Sequence, residues 1–294
     1  MLGKYKFNVQ ECKKIRVIID TDAACEADDQ YAIVHALLTP RFRIKGLVAE
    51  QFSSEAGEDS VDKSYAEIKK ILKLMDISDL PVLYGINAPL KDENDIPESE
   101  GADFIINEAL RNDEAPLFVL CQGALTNVAA AINKEPQIID RFTCIWIGGG
   151  IYPKGGWEFN LNNDFHAANV VFKSGVDLWQ VPMDAYTRMQ VSYAELQTKV
   201  RPYGKIGRYL FDEMQDLGMK ASWICGECWG LGDSPAVGLA LNPGCGRYNM
   251  RKAPIVNQKC EYIGENENMI RVYHEIDSRF ILEDFFAKMK IVYG

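Results

Sequence analysis

The sequence predicts an α/β fold with a mostly parallel central sheet flanked by helices. Short apolar runs rich in β-branched residues alternate with stretches of helical length, which is typical of repeated strand–helix–strand units. The chain has 294 residues, of which 47% are hydrophobic and 25% charged, so it can bury a large core. Because neither a linker nor an internal repeat interrupts the pattern, we expect one domain over residues 1–294.

The first strand–helix–strand unit begins at residues 15–19 (IRVII), a continuous apolar run typical of a central parallel strand. Residues 28–38 have helical spacing and acidic side chains in their first turn. Residues 44–49 are the next strand candidate. This order predicts a right-handed crossover.

The same alternation continues along the chain. Further strands are predicted at residues 81–84, 117–121, 143–147 and 177–181. Further helices are predicted at residues 62–75, 102–111, 125–132 and 165–174. The last hundred residues are expected to be mostly helical, with short extended pieces around 261–263 and 271–273. Since ligands of open α/β sheets bind beyond the carboxyl ends of strands, the polar segment 51–60 is predicted to be a flap.

Composition limits the partners. A net charge of −10 argues against binding nucleic acid through its phosphates. No apolar run reaches the roughly 18–20 residues of a membrane span, and the N-terminal segment has no apolar core of a secretory signal. We therefore expect a cytoplasmic protein with no nucleic-acid or membrane partner. The isolated Cys225-x-x-Cys228 leaves a zinc site, a redox pair and simple packing open.

An acidic group directly follows the first predicted strand. Four aspartates lie within ten residues, at positions 20, 22, 28 and 29. Carboxylates crowded in this way repel one another, and a hard divalent cation removes the repulsion. Helix capping by Asp28 and Asp29 is the alternative, but it leaves Asp20 and Asp22 unexplained.

This segment resembles the hallmark of the inosine-uridine preferring nucleoside hydrolases, a D-x-D followed by a D-D pair that opens a helix. Three later segments resemble the family in the expected order: 120–127 (LCQGALTN), 157–160 (WEFN) after three glycines, and 231–235 (LGDSP). The resemblance covers roughly residues 15–240. It implies the family's open Rossmann-like fold.

The resemblance also implies an activity, namely calcium-dependent hydrolysis of the N-glycosidic bond of a ribonucleoside during nucleoside salvage, releasing base and ribose. Asp22 would be the general base that activates water, and Asp20 would support the site from behind. The implied Ca²⁺ ligands are Asp22, Asp29, the main-chain carbonyl of Gln122, and Asp233. The implied ligands of the ribose hydroxyls are Asp28, Glu158 and Asn160. The partner would be a small-molecule nucleoside, and a homodimer or homotetramer is expected.

Three features depart from the family pattern. The turn between the two aspartate motifs is two residues longer than usual, which is expected to bring Glu26 or Cys25 to the pocket. Gly232 stands where several relatives carry a histidine that protonates the leaving base. The flap asparagine of the family has no clear counterpart near residues 51–53. Candidates for activating the leaving base are Tyr31, Trp223, Glu227, Cys228 and Trp229.

Two other classes of function stay open. A haloacid-dehalogenase-type magnesium phosphatase also has D-x-D after a buried strand, and Gly232-Asp233 imitates its late G-D motif, but Val237 stands where it needs a second aspartate. A non-catalytic nucleoside- or sugar-binding protein is the other. Within the hydrolase interpretation, the base remains open between purine, pyrimidine and a modified type such as a deazaguanine.

Overall fold

The structure is a computed structural model that describes residues 2–52 and 57–294. The strands of the central sheet are β1 Ile15–Thr21, β2 Phe42–Ala49, β3 Val82–Tyr84, β4 Leu117–Cys121, β5 Phe142–Ile147, β6 Asp177–Val181, β9 Gly246–Val256 and β10 Tyr262–Ile276. Their order is β3-β2-β1-β4-β5-β6-β10-β9. All neighbours pair in parallel except β10 and β9. The predicted mostly parallel sheet is confirmed.

Helices cover both faces of this sheet. They are α1 Asp29–Leu37, α2 Ser60–Leu74, α3 Glu100–Leu110, α4 Thr126–Lys134, α5 Phe159–Asn163, α6 Phe165–Ser174, α7 Met183–Tyr186, α8 Tyr193–Lys199, α9 Gly204–Gly218, α10 Ser234–Leu241 and α11 Ser278–Tyr293. Successive side chains of β1 point to opposite faces of the sheet. Val17 and Ile19 pack in the cluster that contains α1, α10 and α11, whereas Ile18 packs in the one that contains α3, α4 and α6.

The C-terminal part differs from the sequence-based expectation of mostly helix. The two short extended pieces belong to one strand, β10, which forms a long antiparallel hairpin with β9 at the edge of the sheet. A smaller antiparallel pair, β7 Gln190–Ser192 and β8 Cys228–Gly230, lies outside the main sheet.

The register of the central strands places polar residues together at one edge. Asp20 of β1 pairs with Val48 of β2 and Cys121 of β4. One step further, the Glu50 amide donates to the Thr21 carbonyl and the Gln122 amide to the Asp20 carbonyl, each at 2.8 Å. The residues that follow β1, β2 and β4 therefore meet at the carboxyl edge, where ligands bind in open α/β sheets.

Within residues 2–52 and 57–294, no helix is both long and apolar enough to span a bilayer.

Candidate functional site

A cavity lies at this carboxyl edge. It is lined by Asp22, Cys25, Glu26, Asp28, Asp29, Gln122, Ile147, Glu158, Phe159, Asn160, Tyr186, Gly232 and Asp233. All seven residues that the sequence assigned to the site are among them. The longer turn after β1 contributes Cys25 and Glu26, as the spacing of the aspartate motifs predicted.

Three carboxylates in the cavity converge most closely. Asp28, Asp29 and Asp233 each offer an oxygen such that these atoms lie within 4.8 Å of one another. Asp29 begins α1 and accepts a short hydrogen bond from the Thr21 hydroxyl. Asp233 precedes α10, and its amide donates to Asp28 Oδ2 at 3.3 Å. The tightest group thus contains Asp28, which the sequence assigned to the ribose, while Asp22 lines the same cavity beside it.

Burial disfavours the ionised form of these carboxylates and so raises their pKa values. Loss of hydration, opposed by hydrogen bonds from main-chain amides, raises the pKa of Asp28 to about 6. Burial and the charge of Asp28 raise the pKa of Asp29 to about 7. For Asp22 and Asp233, burial and repulsion by the neighbouring aspartates raise the pKa well above its ordinary range. Since four groups penalise one another's charge, a compensating positive charge belongs among them.

The donor set fits a hard divalent cation. It consists of carboxylate and carbonyl oxygens, the ligands of Ca²⁺ and Mg²⁺ in proteins. In addition, the buried Asp22 Oδ2 has no hydrogen-bond partner among the described residues, so it is available as a ligand. The cavity can therefore hold a divalent metal, with Asp29 and Asp233 at its centre.

Glu158 and Asn160 line the same cavity as the aspartates. Glu158 precedes α5, and its buried carboxylate accepts four hydrogen bonds, from the amides of Gly149, Asn160 and Leu161 and from the Tyr186 hydroxyl. These fill the acceptor sites of a carboxylate. The Asn160 side-chain amide donates to the carbonyls of Gln122 at 3.2 Å and Ile147 at 2.8 Å, which leaves its Oδ1 as an acceptor.

Asp20 lies below the cavity rather than in its wall. It is fully buried, and its Oδ1 accepts a hydrogen bond of 2.9 Å from Asn127. Burial raises its pKa to about 7. This position agrees with a supporting role behind the cavity.

The sequence analysis missed Glu50. It is fully buried after β2, and within the described part of the chain neither carboxylate oxygen has a hydrogen-bond partner. A Cβ added at Gly123 would lie 2.8 Å from Glu50 Oε2 and 2.9 Å from Asp22 Cγ, so glycine is required where both carboxylates approach the chain. The signal was present, because Glu50 is the first charged residue after the apolar end of β2. The side-chain amide of Gln122 is also buried and has no hydrogen-bond partner among the described residues, a feature that the sequence alone does not show.

A second cavity adjoins the first and shares Glu26, Asp28, Tyr186 and Gly232 with it. The rest of its lining is Thr187, Gln190, Trp223, Ile224, Cys225, Cys228, Trp229 and Gly230. Three of the candidates for activating the leaving base, Trp223, Cys228 and Trp229, therefore lie here. Tyr186, which the sequence analysis did not consider, separates the two cavities.

The other candidates lie elsewhere. Tyr31 was wrongly placed at the site, since it is buried in the core and its hydroxyl donates to the Leu210 carbonyl at 3.0 Å. Glu227 lines neither cavity. Of the predicted flap, residues 53–56 lie outside the described residues. Gln51, at its start, is buried and donates to Thr126 Oγ1 and the Asn163 carbonyl.

The fold and the cavity together define an α/β enzyme with a carboxylate-lined site at the sheet edge. Residues 17–280 match the sequence profile of the inosine-uridine preferring nucleoside hydrolases, so the chain belongs to that family of ribonucleoside hydrolases, which act on N-glycosyl bonds.

Several known proteins are similar to this chain. The pyrimidine-specific ribonucleoside hydrolase RihA of Salmonella schwarzengrund is 28% identical over 244 residues, covering 74% of this chain and 75% of the relative. A purine-preferring ribonucleoside hydrolase from Gardnerella vaginalis superposes with a TM-score of 0.78 at 20% identity, over 93% of this chain and 98% of the other. The inosine-uridine preferring nucleoside hydrolase from Bacillus anthracis gives a TM-score of 0.72 at 14% identity, over 95% and 100%. At these identities the solved structures establish the fold alone.

Proposed function

We propose that this protein hydrolyses the N-glycosidic bond of a ribonucleoside with calcium as its cofactor and Asp22 as general base. The observation that carries the proposal is the convergence of buried carboxylates in one cavity that Glu158 and Asn160 also line. A polyhydroxylated sugar in this cavity would meet acceptors from both groups of residues. Membership in the hydrolase family supports the same reaction.

Asp22 suits the role of base because its carboxylate lines the cavity and the negative charges beside it raise its affinity for a proton. Burial and the charges of Asp29 and Asp28 raise its pKa well above the ordinary range, which strengthens it as a proton acceptor. Its unpartnered Oδ2 is available to a water molecule in the cavity. As that water gives its proton to Asp22, its oxygen attacks the anomeric carbon and the bond to the base breaks through an oxocarbenium-like state.

The proposed ligands of Ca²⁺ are Asp22, Asp29, the Gln122 carbonyl and Asp233. A bound dication lowers the pKa of a coordinated water and orients it. The Gln122 carbonyl already accepts one hydrogen bond, from Asn160, and a carbonyl oxygen keeps a second lone pair for such a contact.

Asp28, Glu158 and Asn160 are proposed to hold the ribose. Because the acceptor sites of Glu158 are filled, a sugar hydroxyl would take the place of the Tyr186 hydroxyl, which donates to Oε1 at 2.9 Å. The Asn160 Oδ1 can accept from a second hydroxyl. Such contacts orient the anomeric carbon towards Asp22, and positioning of this kind contributes several kcal/mol to catalysis.

The test is ribose release from a panel of nucleosides, measured as reducing sugar with calcium, with magnesium and with a chelator. We expect release that calcium restores after chelation. Asp22→Asn should lower turnover by a factor of roughly 10²–10⁴ with an unchanged circular dichroism spectrum. Asp216→Asn, which makes the same change at an exposed position outside the cavity, is the matched control. Wild-type rates in Asp22→Asn would refute the base assignment.

Two further parts of the proposal concern the protein as a whole. The resemblance to the family implies a homodimer or homotetramer, and we also propose the cytoplasmic location that the sequence analysis expects. Light scattering after size-exclusion chromatography tests the assembly, since a monomer at micromolar concentration would contradict it.

A further inference from the structure

We propose that the second cavity selects ribonucleosides whose base carries a fixed positive charge, such as an N7-alkylated purine or an N-ribosyl pyridinium. This inference rests on the proposed function and adds the substrate class. It follows from the position of the cavity, from what its lining lacks and from the charge of its walls.

The position of the second cavity makes it the place for the base. It has a volume of about 390 Å³ and meets the first cavity at Glu26, Asp28, Tyr186 and Gly232. A ribose held in the first cavity by the aspartates and Glu158 has its base attached directly at the anomeric carbon. The base therefore extends across this boundary into the second cavity.

The boundary offers little to protonate a neutral leaving base. Gly232 has no side chain, and a Cβ there would lie 3.1 Å from both Asp28 Oδ2 and Tyr186 Cδ2. The Tyr186 hydroxyl donates to Glu158, and burial together with the negative charge of Glu158 raises the pKa of Tyr186 far above its ordinary value. Within the described part of the chain, no lysine, arginine or histidine lines this cavity. Imidazolium and ammonium groups, which protonate leaving bases most readily near neutral pH, are thus missing from its walls.

The walls instead suit a cation. Glu26 brings a carboxylate to the boundary, and Trp223, 66% exposed, offers an indole surface in the same cavity. A planar delocalised cation is attracted both by carboxylates and by the face of a tryptophan ring. A neutral base would gain only the stacking part of this interaction.

A cationic base also removes the need for a general acid. The bond between the anomeric carbon and the ring nitrogen breaks, and its electron pair returns to the ring, which leaves as a neutral molecule. Water supplies the oxygen that bonds to the anomeric carbon, and its proton passes to Asp22. Charge and atoms balance without a further donor.

The test compares 7-methylguanosine with guanosine, which differ in one methyl group and in charge. The N-glycosidic bond of 7-methylguanosine is weaker in itself, so the informative quantity is how a substitution changes the ratio of the two kcat/KM values. We expect Glu26→Gln to lower the ratio of methylated to unmethylated substrate about tenfold, through a higher KM for 7-methylguanosine. Trp223→Leu should lower it in the same direction. Glu114→Gln, which removes a carboxylate from an exposed position outside both cavities, should leave the ratio unchanged.

The outcomes separate this inference from the function on which it rests. A ratio that Glu26→Gln leaves unchanged overturns the inference, even where both rates fall together as they would after a structural change. Release of ribose from guanosine but not from 7-methylguanosine by the wild-type enzyme overturns it as well. Wild-type protein that releases ribose from neither these two nor any nucleoside of the panel refutes the proposed function itself.

Discussion

The buried carboxylate of Asp29 predicts an inverse dependence of stability on pH in the cation-free protein. Its side chain is only 2% exposed, and burial with the nearby charge of Asp28 raises its pKa from the ordinary 3.8 to about 7. A raised pKa means that folding favours the protonated form. Its contribution to stability is therefore fully present below pH 3.8 and is lost as the pH rises through about 7.

The magnitude follows from the size of the shift. Each pH unit between the unfolded and folded pKa values changes the free energy of unfolding by about 1.4 kcal/mol for one group. From about pH 5 to about pH 7, Asp29 alone therefore lowers stability by on the order of 3 kcal/mol. Solvent screening is small for so buried a group, whereas its coupling to Asp28 spreads part of the effect over both carboxylates.

The assay is urea unfolding in a chelator at about pH 5 and about pH 8, for the wild type and Asp29→Asn. The substitution keeps an oxygen for the Thr21 hydroxyl and removes the charge. We expect the wild type to lose on the order of 3 kcal/mol more than the variant between the two pH values. Calcium in excess should stabilise the wild type at the higher pH and have much less effect on the variant. Parallel pH profiles of the two proteins without cation would refute the reasoning.

Three further substitutions probe the same region. Asp233→Ala removes one of the three converging carboxylates and should weaken calcium binding roughly tenfold or more in calorimetry. Tyr186→Phe deletes the donor to Glu158 and should change KM for the nucleoside more than kcat, because it alters how the ribose is held. Gly123→Ala places a Cβ 2.8 Å from Glu50 Oε2 and should lower the free energy of unfolding in urea by about 1–3 kcal/mol. It should also lower the activity. The reasoning would be contradicted by unchanged calcium affinity in Asp233→Ala or by unchanged kinetics in Tyr186→Phe. Unchanged stability in Gly123→Ala would contradict it as well.

The central sheet was predictable because its strands are buried on both faces and so appear as continuous apolar runs. All seven residues of β1 are buried, and its run begins at the predicted residue. The hairpin at the edge gives a much weaker signal. The middle of β10, around Glu265 and Glu267, alternates exposed and partly buried residues and is rich in polar side chains. A half-solvated antiparallel edge strand needs few apolar residues, so its pattern is easily taken for a loop.

The residues of the candidate site fall into two groups in the same way. Some lie in one segment of the sequence, whereas others come together only when distant segments fold. The aspartates after β1 were visible because they crowd within ten residues. Tyr186 lines both cavities from a distant segment, where it donates to Glu158, and the pairing of β2 with β1 brings the buried Glu50 close to Asp22 behind the first cavity.

Two of the three departures from the family pattern, the longer turn after Asp22 and the glycine at 232, meet at one point in space. A Cβ on Gly232 would lie 3.1 Å from Asp28 Oδ2, at the end of that turn, and equally close to the Tyr186 ring. A histidine at position 232 would therefore crowd both neighbours. The longer turn brings Glu26 to the boundary between the two cavities, and Gly232 leaves that boundary without a side chain. The two changes therefore belong to one rearrangement of this boundary. Restoring the histidine alone, without shortening the turn, is for this reason not expected to restore the chemistry of the relatives.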